Sequence, residues 1–250
     1  MKNMLIVCIL MILGCNSNET ASYDSTIVPI KKDSLINLKD GPIFEKRDLI
    51  TVDIDLKKKV GDAFKLLRKY GRETIVMPKK VSYELFSSWP KIIFGKAKLH
   101  AGMVEFQIED DSASLFKDLI ILFEDIPLST SNHAGETLYL SGVNRPVISL
   151  VSEFVRNMSL ELVASVILHE LRHIQFFNGN YLQKEVERDQ NEHQSYMAQL
   201  YFLAYAYGGP DKEKECYEAK SNNIDVKVPS SDINEFAYYF NKARELATKY

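Results

Sequence analysis

The chain has 250 residues, of which 46% are hydrophobic and 26% are charged. This is the composition of an ordinary globular protein, and it excludes a disordered or fibrous chain. The 31 basic and 34 acidic residues give a net charge of −3, and the short lysine clusters at 57–59 and 79–80 are diluted by acids. Nothing in this charge distribution indicates nucleic-acid binding.

Residues 1–14 have the pattern of a processing signal. Lys2 precedes an apolar stretch, Met4–Leu13, that is too short to span a bilayer comfortably. The sequence ILGC at 12–15, followed at once by polar residues, resembles the lipobox of a bacterial lipoprotein. The resemblance implies cleavage before Cys15, lipid on its thiol, and an extracytoplasmic protein anchored to a membrane of the cell envelope. A plain N-terminal anchor and a simple secretory signal are the alternatives.

The rest of the chain divides into a tether and a single domain. Residues 15–40 comprise the lipidated cysteine and a polar tether, and we expect one domain over 41–250. Because Cys8 leaves with the signal and Cys15 is acylated, only Cys216 remains. An internal disulfide and a cysteine-rich zinc cluster are therefore both excluded.

The first half of the domain predicts one helix and then strands. Apolar residues at helical spacing predict a helix from Asp55 to Tyr70, which Gly71 ends. Residues 129–136 read as a loop. Strands are predicted at Thr74–Met77, Ile92–Phe94, Leu99–Ile108, Leu119–Phe123, Thr137–Ser141 and Val147–Val151.

The second half predicts helices. Ser159 caps one that runs to about Phe177, a second covers Leu182–Tyr207, a weaker one lies near 211–221, and the last runs over 231–248. Asp232 and Glu235 offer a capping box for the last helix. The fold class is therefore α+β: a mixed or antiparallel sheet, followed by a helical C-terminal half that contains the metal-binding helix described next.

The chemistry of the sequence is concentrated in HELRH at 169–173. His169 and His173 lie four residues apart, so on a helix both imidazoles share one face and can bind one ion. Glu170 lies about 100° round the axis, where its carboxylate can act on a water without being a ligand. The apolar surface of this helix would bury the histidines, and buried polar groups need partners. The pattern resembles HExxH zinc metallopeptidases, the zincins, and implies Zn²⁺ as cofactor.

The sequence offers several candidates for a third zinc ligand. The metzincin pattern fails, because Phe176 stands where that class has glycine and Gly179 where it has histidine. The resemblance is therefore to gluzincins, in which a glutamate of the next helix binds the metal. We favour Glu192, which lies 19 positions after His173 and precedes a run resembling one found in small bacterial metallopeptidases. The alternatives that stay open are Glu185, Glu187 and His193.

The resemblance implies a lipid-anchored zinc metallopeptidase that acts on peptides or proteins, with Glu170 as general base and then general acid. It also implies that a strand within 137–151 binds the extended substrate. His133, in the loop before these strands, could contact substrate, but the interpretation we favour is an exposed loop histidine. Donors for the oxyanion are left open among Arg172, His193, Tyr196 and Tyr201. Two other functions remain as alternatives: a non-catalytic surface lipoprotein that binds a protein partner, and a zinc-dependent cell-wall amidase.

Overall fold

A computed structural model describes residues 7–8, 51–76, 91–100, 103–109, 119–131, 133–138, 147–177, 185–218 and 225–247. Side chains are not described at 7–8, 98–100, 103–106, 175–177 and 185–189, where only the backbone is considered. Cys15 and the predicted tether lie outside the described residues, as does most of the predicted signal.

The described strands are β1 (Val7–Cys8), β2 (Ile92–His100), β3 (Met103–Ile108), β4 (Leu119–Glu124), β5 (Gly135–Leu138) and β6 (Val147–Val151). The described helices are α1 (Ile54–Glu73), α2 (Ser152–Asn157), α3 (Leu160–Phe177), α4 (Glu185–Gly208), α5 (Pro210–Glu218) and α6 (Ile233–Ala247). A short 3₁₀ turn covers Leu128–Thr130.

The strands form one mixed sheet in the order β1-β3-β2-β4-β6-β5. The central strands β2, β4 and β6 are parallel, whereas β3 and β5 pair antiparallel with their neighbours. The two-residue strand β1 pairs only with β3, so cleavage before Cys15 would leave the pairing of the other five strands intact. Among the described strands, β5 is the last of this order and forms an edge of the sheet.

The helices cover one face of the sheet. Along β4 and β6, alternate residues (Leu119, Ile121, Phe123, Ile148 and Leu150) join the core that contains α1, α3 and α4. The residues between them are also buried, as expected for parallel strands near the centre of a sheet. Gly135 of β5 faces α3, and a Cβ added there would lie 2.8 Å from Cγ1 of Val166. Glycine therefore allows the edge strand to approach the helix closely.

The predicted α+β class, with a mixed sheet and a helical C-terminal half, is confirmed. Strands at 119–123 and 147–151 and the helix from Ser159 to Phe177 are observed within a residue of their predicted bounds. The observed α4, α5 and α6 match the other three predicted helices to within a few residues, and α2 was not predicted. Strand β5 starts two residues earlier than predicted, and residues 139–141 lie outside the described part of the chain.

Three local predictions are wrong. Helix α1 continues through Gly71 to Glu73, because burial of Tyr70 outweighs the cost of about 1 kcal/mol for a helical glycine. The predicted strand at Thr74 is absent over 74–76, since the side chain of Thr74 and the backbone N–H of Ile75 donate to the carboxylate of Glu213 instead of pairing with a strand. The run 99–108 is split into two antiparallel strands with His100 paired to Met103.

The predicted capping box at Asp232 is also wrong. The Asp232 backbone N–H donates to the carbonyl oxygen of Pro229, 2.9 Å away. Its carboxylate accepts the backbone N–H of Ser159 at 3.0 Å and the hydroxyl of Tyr207 at 2.7 Å. The carboxylate therefore ties the start of α6 to the start of α3. None of the helices in the described ranges is long and apolar enough to cross a membrane.

Candidate metal centre

Helix α3 carries both histidines of the HELRH sequence into the interior. Its first turn is capped as predicted: the hydroxyl of Ser159 accepts the backbone N–H of Leu162 at 3.1 Å. Nearly all residues from 162 to 171 are buried, because the helix packs between the sheet and α4. His169 and His173 are only 7% and 8% exposed. Two imidazoles in such surroundings require polar partners.

Helix α4 supplies the third polar group. It packs along α3, and the small buried residues Ser195 and Ala198 lie on it one and two turns beyond Glu192. The Nε2 atoms of His169 and His173 are 3.0 Å apart. Oε2 of Glu192 lies 3.5 Å from Nε2 of His169, and Oε1 lies 3.4 Å from Nε2 of His173. The structure thus brings together the two histidines and the glutamate favoured by the sequence.

The spacing of these atoms suits a single metal ion. Ligands about 2.0–2.1 Å from a tetrahedral zinc ion are about 3.3 Å from one another. The three observed separations are 3.0, 3.4 and 3.5 Å. Among the described residues, His169, His173 and Glu192 form the one group of three or more potential ligands whose ligand atoms all lie within 4.8 Å of one another. Three protein ligands leave the fourth tetrahedral position for water or substrate, as in catalytic zinc sites.

A hydrogen-bond relay orients His169. Its Nδ1 lies 3.2 Å from Oε1 of Gln199, an amide oxygen that can only accept. Nδ1 therefore donates to Gln199, and Nε2 is the nitrogen that faces Glu192 and His173. The amide nitrogen of Gln199 donates to the hydroxyl of Ser165, which donates to the carbonyl oxygen of Leu162. This arrangement is the kind of outer support that fixes the tautomer of a metal-binding histidine.

The two histidines differ in their affinity for a proton. Burial alone lowers the pKa of His169, but its contact with Glu192 and the charge of Glu170 outweigh burial and raise the pKa. Burial and the neighbouring His169 lower the pKa of His173. A proton on His169 is thus held more tightly than a proton on His173. A metal ion that binds both histidines must displace the proton from His169.

Glu170 points to a different partner. It is only 6% exposed, and its Oε2 accepts the hydroxyl of Thr137 at 2.8 Å. Thr137 lies on β5, the edge strand, so a residue of the sheet holds the carboxylate of Glu170 beside the candidate metal-binding group. Glu170 does not belong to the group of potential ligands formed by His169, His173 and Glu192.

An acidic cluster lies within electrostatic range of Glu170. His133 lies between Glu124 and Glu136, with its Nε2 3.7 Å and 3.9 Å from the respective carboxylate oxygens. Burial alone lowers the pKa of His133, but Glu124 and Glu136 outweigh it and raise the pKa. Burial raises the pKa of Glu136 to about 7. The charge of Glu170 also raises this pKa, whereas the charge of His133 lowers it. His133 is therefore part of a charged cluster and not the exposed loop residue that its sequence context suggested.

Aromatic rings enclose the other side of the centre. The ring of Tyr196 meets that of His169 edge to face, with centroids 4.4 Å apart. Tyr239 of α6 packs next to Tyr196. Burial, with the charges of Glu235 and Glu170, raises the pKa of Tyr239 well above its usual value, so it keeps its proton as a hydrogen-bond donor. The hydroxyl of Tyr239 donates to Glu235, so Tyr196 is the candidate oxyanion donor on this side.

The remaining candidates are less close to the centre. His193 does not join the group of ligand atoms, since it lies about 100° round α4 from Glu192. Tyr201 lies on the opposite side of α4 from Glu192 and packs against Tyr217. The guanidinium of Arg172 is partly buried, which lowers its pKa. The side chains of Glu185 and Glu187 are outside the described residues.

Thr137, Ser165 and Gln199 are the polar residues that the sequence analysis did not identify. Gln199 has a signal in the sequence, because it lies seven residues after Glu192 and so on the same helix face. Ser165 lies four residues before His169 on α3, which is the same kind of signal. Thr137 has no such signal in the sequence, since its contact with Glu170 depends on where the edge strand lies relative to α3.

Comparisons with known proteins give no further assignment: no protein-family model, no curated protein and no solved structure matches this chain.

Proposed function

We propose that this protein is a zinc-dependent peptidase of the zincin type, with a gluzincin-like ligand set of His169, His173 and Glu192. The observation that carries the proposal is that the Nε2 atoms of His169 and His173 lie 3.0 Å apart and that each lies 3.5 Å and 3.4 Å, respectively, from a carboxylate oxygen of Glu192. A separately held glutamate, Glu170, lies beside them on the same helix. Two neutral imidazoles and one carboxylate are ligands that zinc prefers. The ligand spacing, the relay through Gln199 and the buried Glu170 support the assignment together.

A zinc ion bound there would act as a Lewis acid, lowering the pKa of a coordinated water and polarising the carbonyl of the scissile amide. The carboxylate of Glu170 accepts the proton of the attacking water and then donates it to the leaving amine nitrogen. Tyr196 is the candidate hydrogen-bond donor for the carbonyl oxygen as it gains negative charge. Its ring also excludes water from the side of His169 that it covers.

Strand β5 is the candidate surface for the substrate backbone. It forms an edge of the sheet next to the metal-binding helix, which is where the zincin resemblance expects an extended peptide to bind. Its carbonyl and N–H groups on the side away from β6 would provide main-chain hydrogen bonds. We place the peptidase in the cell envelope, anchored through lipid on Cys15, on the basis of the sequence at 12–15 alone.

The test is the substitution Glu170→Gln in the purified protein. We expect the variant to retain one equivalent of zinc and to lose hydrolysis of a denatured protein substrate by at least about 100-fold. Glu161→Gln, in the first turn of the same helix, is the matched control and should keep both properties. Full hydrolysis by a zinc-loaded Glu170→Gln variant would refute the mechanism.

The same measurements separate the alternative functions. A wild-type protein that binds zinc but hydrolyses neither denatured protein nor peptidoglycan fragments would be a non-catalytic lipoprotein with a structural metal. Hydrolysis of peptidoglycan fragments but not of denatured protein would identify a cell-wall amidase.

A further inference from the structure

We propose that Thr137 is the positioning residue for Glu170: its hydroxyl holds one carboxylate oxygen and thereby assigns the other to proton transfer. This inference rests on the proposed hydrolase function. It is carried by the distance of 2.8 Å between Oγ1 of Thr137 and Oε2 of Glu170. Oγ1 also lies 3.1 Å from the backbone carbonyl oxygen of Glu170.

The hydroxyl has one proton to donate, and the carboxylate is the stronger acceptor. The bond to Oε2 is shorter than the bond to the carbonyl oxygen, and hydrogen bonds to ionised acceptors are about twice as strong as neutral ones. The carbonyl oxygen of Glu170 also belongs to the hydrogen-bond ladder of α3, which already uses it. The hydroxyl therefore acts mainly on the carboxylate.

The fold explains why a threonine on the edge strand can reach this carboxylate. Gly135 and Thr137 are two residues apart on β5 and so face the same side, towards α3. The missing side chain at Gly135 lets the strand come within contact distance of Val166. Thr137 is paired with Ile148 of β6, which fixes its register in the sheet. The rigid sheet, not a loop, thus holds the hydroxyl in place.

The consequence for catalysis is a restricted carboxylate. A glutamate side chain has three rotatable bonds, and a free carboxylate exchanges its two oxygens by rotation. Binding of Oε2 by Thr137 holds the plane of the group, so Oε1 is the oxygen that accepts the proton of the attacking water. Because β5 is also the proposed substrate strand, the base and the substrate backbone are positioned by the same element.

The test compares three substitutions at one position. Thr137→Val keeps the shape and removes the hydroxyl, Thr137→Ser keeps the hydroxyl, and Thr137→Ala is a smaller variant that repeats the test if valine is not accommodated. We expect Thr137→Val to lower kcat about 10- to 100-fold, with KM within about threefold of wild type and zinc content unchanged. We expect Thr137→Ser to restore kcat to within about threefold of wild type.

A contact that merely joins β5 to α3 would give a different result. It would lower the Tm, or change KM and kcat together, and serine would not selectively restore kcat. Thr130→Val is the matched control, since that hydroxyl donates to Pro127 in an exposed turn away from the centre. A hydroxyl-free variant with wild-type kcat, or a serine variant as slow as valine, overturns the inference while leaving the peptidase proposal intact. A zinc-loaded wild type without hydrolase activity overturns both.

Discussion

The Nδ1 nitrogen of His169 lies 3.2 Å from the amide oxygen of Gln199, so a residue on α4 determines which nitrogen of a histidine on α3 carries the proton. The same helix α4 supplies Glu192. The candidate metal-binding group is therefore built from two helices, and each contributes both a candidate ligand and a residue of the hydrogen-bond relay. Ser165, four residues before His169, completes the relay on α3.

We expect Gln199→Leu to weaken zinc binding about 10- to 100-fold, the usual effect of removing a partner of a metal-binding histidine. Leucine fills a similar volume but cannot accept the Nδ1 proton of His169. The measurement is competition for zinc against a chelator of known affinity. Gln194→Leu, at an exposed position of the same helix, is the control and should bind zinc like wild type. Equal affinities for the two variants would show that the relay does not support the site.

Zinc should stabilise the folded protein, and the stabilisation should depend on Glu192. At a free zinc concentration of 100 times Kd, binding to the folded state alone adds about 2.7 kcal/mol to the free energy of unfolding. Glu192→Ala should lose most of this gain in Tm, whereas His193→Ala should keep it. The same thermal scans on Glu185→Ala test the main rival ligand. A zinc-dependent rise in Tm that is lost only in the Glu185 variant would show that the ligand assignment is wrong.

The proximity of His169 and His173 could be predicted from sequence, because their spacing within one helix already determines that they share a face. Predicting Glu192 as the third candidate ligand required a further assumption about how α3 and α4 pack. Helical periodicity alone allows several carboxylates at the start of α4 to be that ligand. Glu185, two turns before Glu192, has nearly the same direction round the axis but lies about 10 Å away along it. Only the packing of the two helices distinguishes such positions.

Interactions between distant segments were not predictable. Thr137 and Glu170 meet because an edge strand lies against α3, and nothing in either local sequence encodes that contact. The error at Gly71 has the same origin: the local rule that glycine ends a helix was overridden by packing of Tyr70 and by Glu213, which is more than 130 residues away. At Asp232 the sequence predicted a local cap, and the structure uses the carboxylate for another helix instead.

The acidic cluster beside Glu170 should make stability depend on pH. The pKa of Glu136 is raised by burial to about 7 from an unfolded value near 4.5. The contribution of Glu136 to the free energy of unfolding is thus fully present below pH 4.5. It is lost as the pH rises towards 7, by up to about 1.4 kcal/mol per pH unit. Glu136→Gln removes this loss, so its Tm should exceed that of wild type at pH 8 and should approach it at pH 4.5.

Thermal unfolding at the two pH values measures this difference. Glu218→Gln, an exposed glutamate of α5, should follow the wild type at both. A Tm for Glu136→Gln that is lower than wild type at pH 8 would mean that the charged carboxylate stabilises the fold, against the expected sign.

Asp232 should show the opposite dependence on pH. Burial alone raises its pKa, but hydrogen bonds from Ser159, Tyr207 and Ser231 outweigh burial and lower it. Its stabilisation is therefore present above the unfolded pKa of 3.8 and is lost as the pH falls through the folded value. Asp232→Asn should lower the free energy of unfolding by about 1–2 kcal/mol at pH 7, and this loss should shrink as the pH falls below 3.8. Denaturant unfolding at both pH values measures it, and a cost that does not change with pH would contradict the assignment.

Glu213 provides a test of the fold that does not involve the metal centre. This fully buried carboxylate of α5 accepts the hydroxyl of Tyr70 at 2.7 Å, the hydroxyl of Thr74, and the backbone N–H of Ile75 at 3.1 Å. Glu213→Ala would leave three donors at the end of α1 without their acceptor, at a cost of about 3 kcal/mol or more. Glu215→Ala, exposed on the same helix, should change stability by less than about 0.5 kcal/mol. Zinc affinity of the folded Glu213→Ala protein should stay at the wild-type value, because α5 contributes no ligand. Equal unfolding free energies for the two alanine variants would show that the carboxylate does not hold α1 to α5.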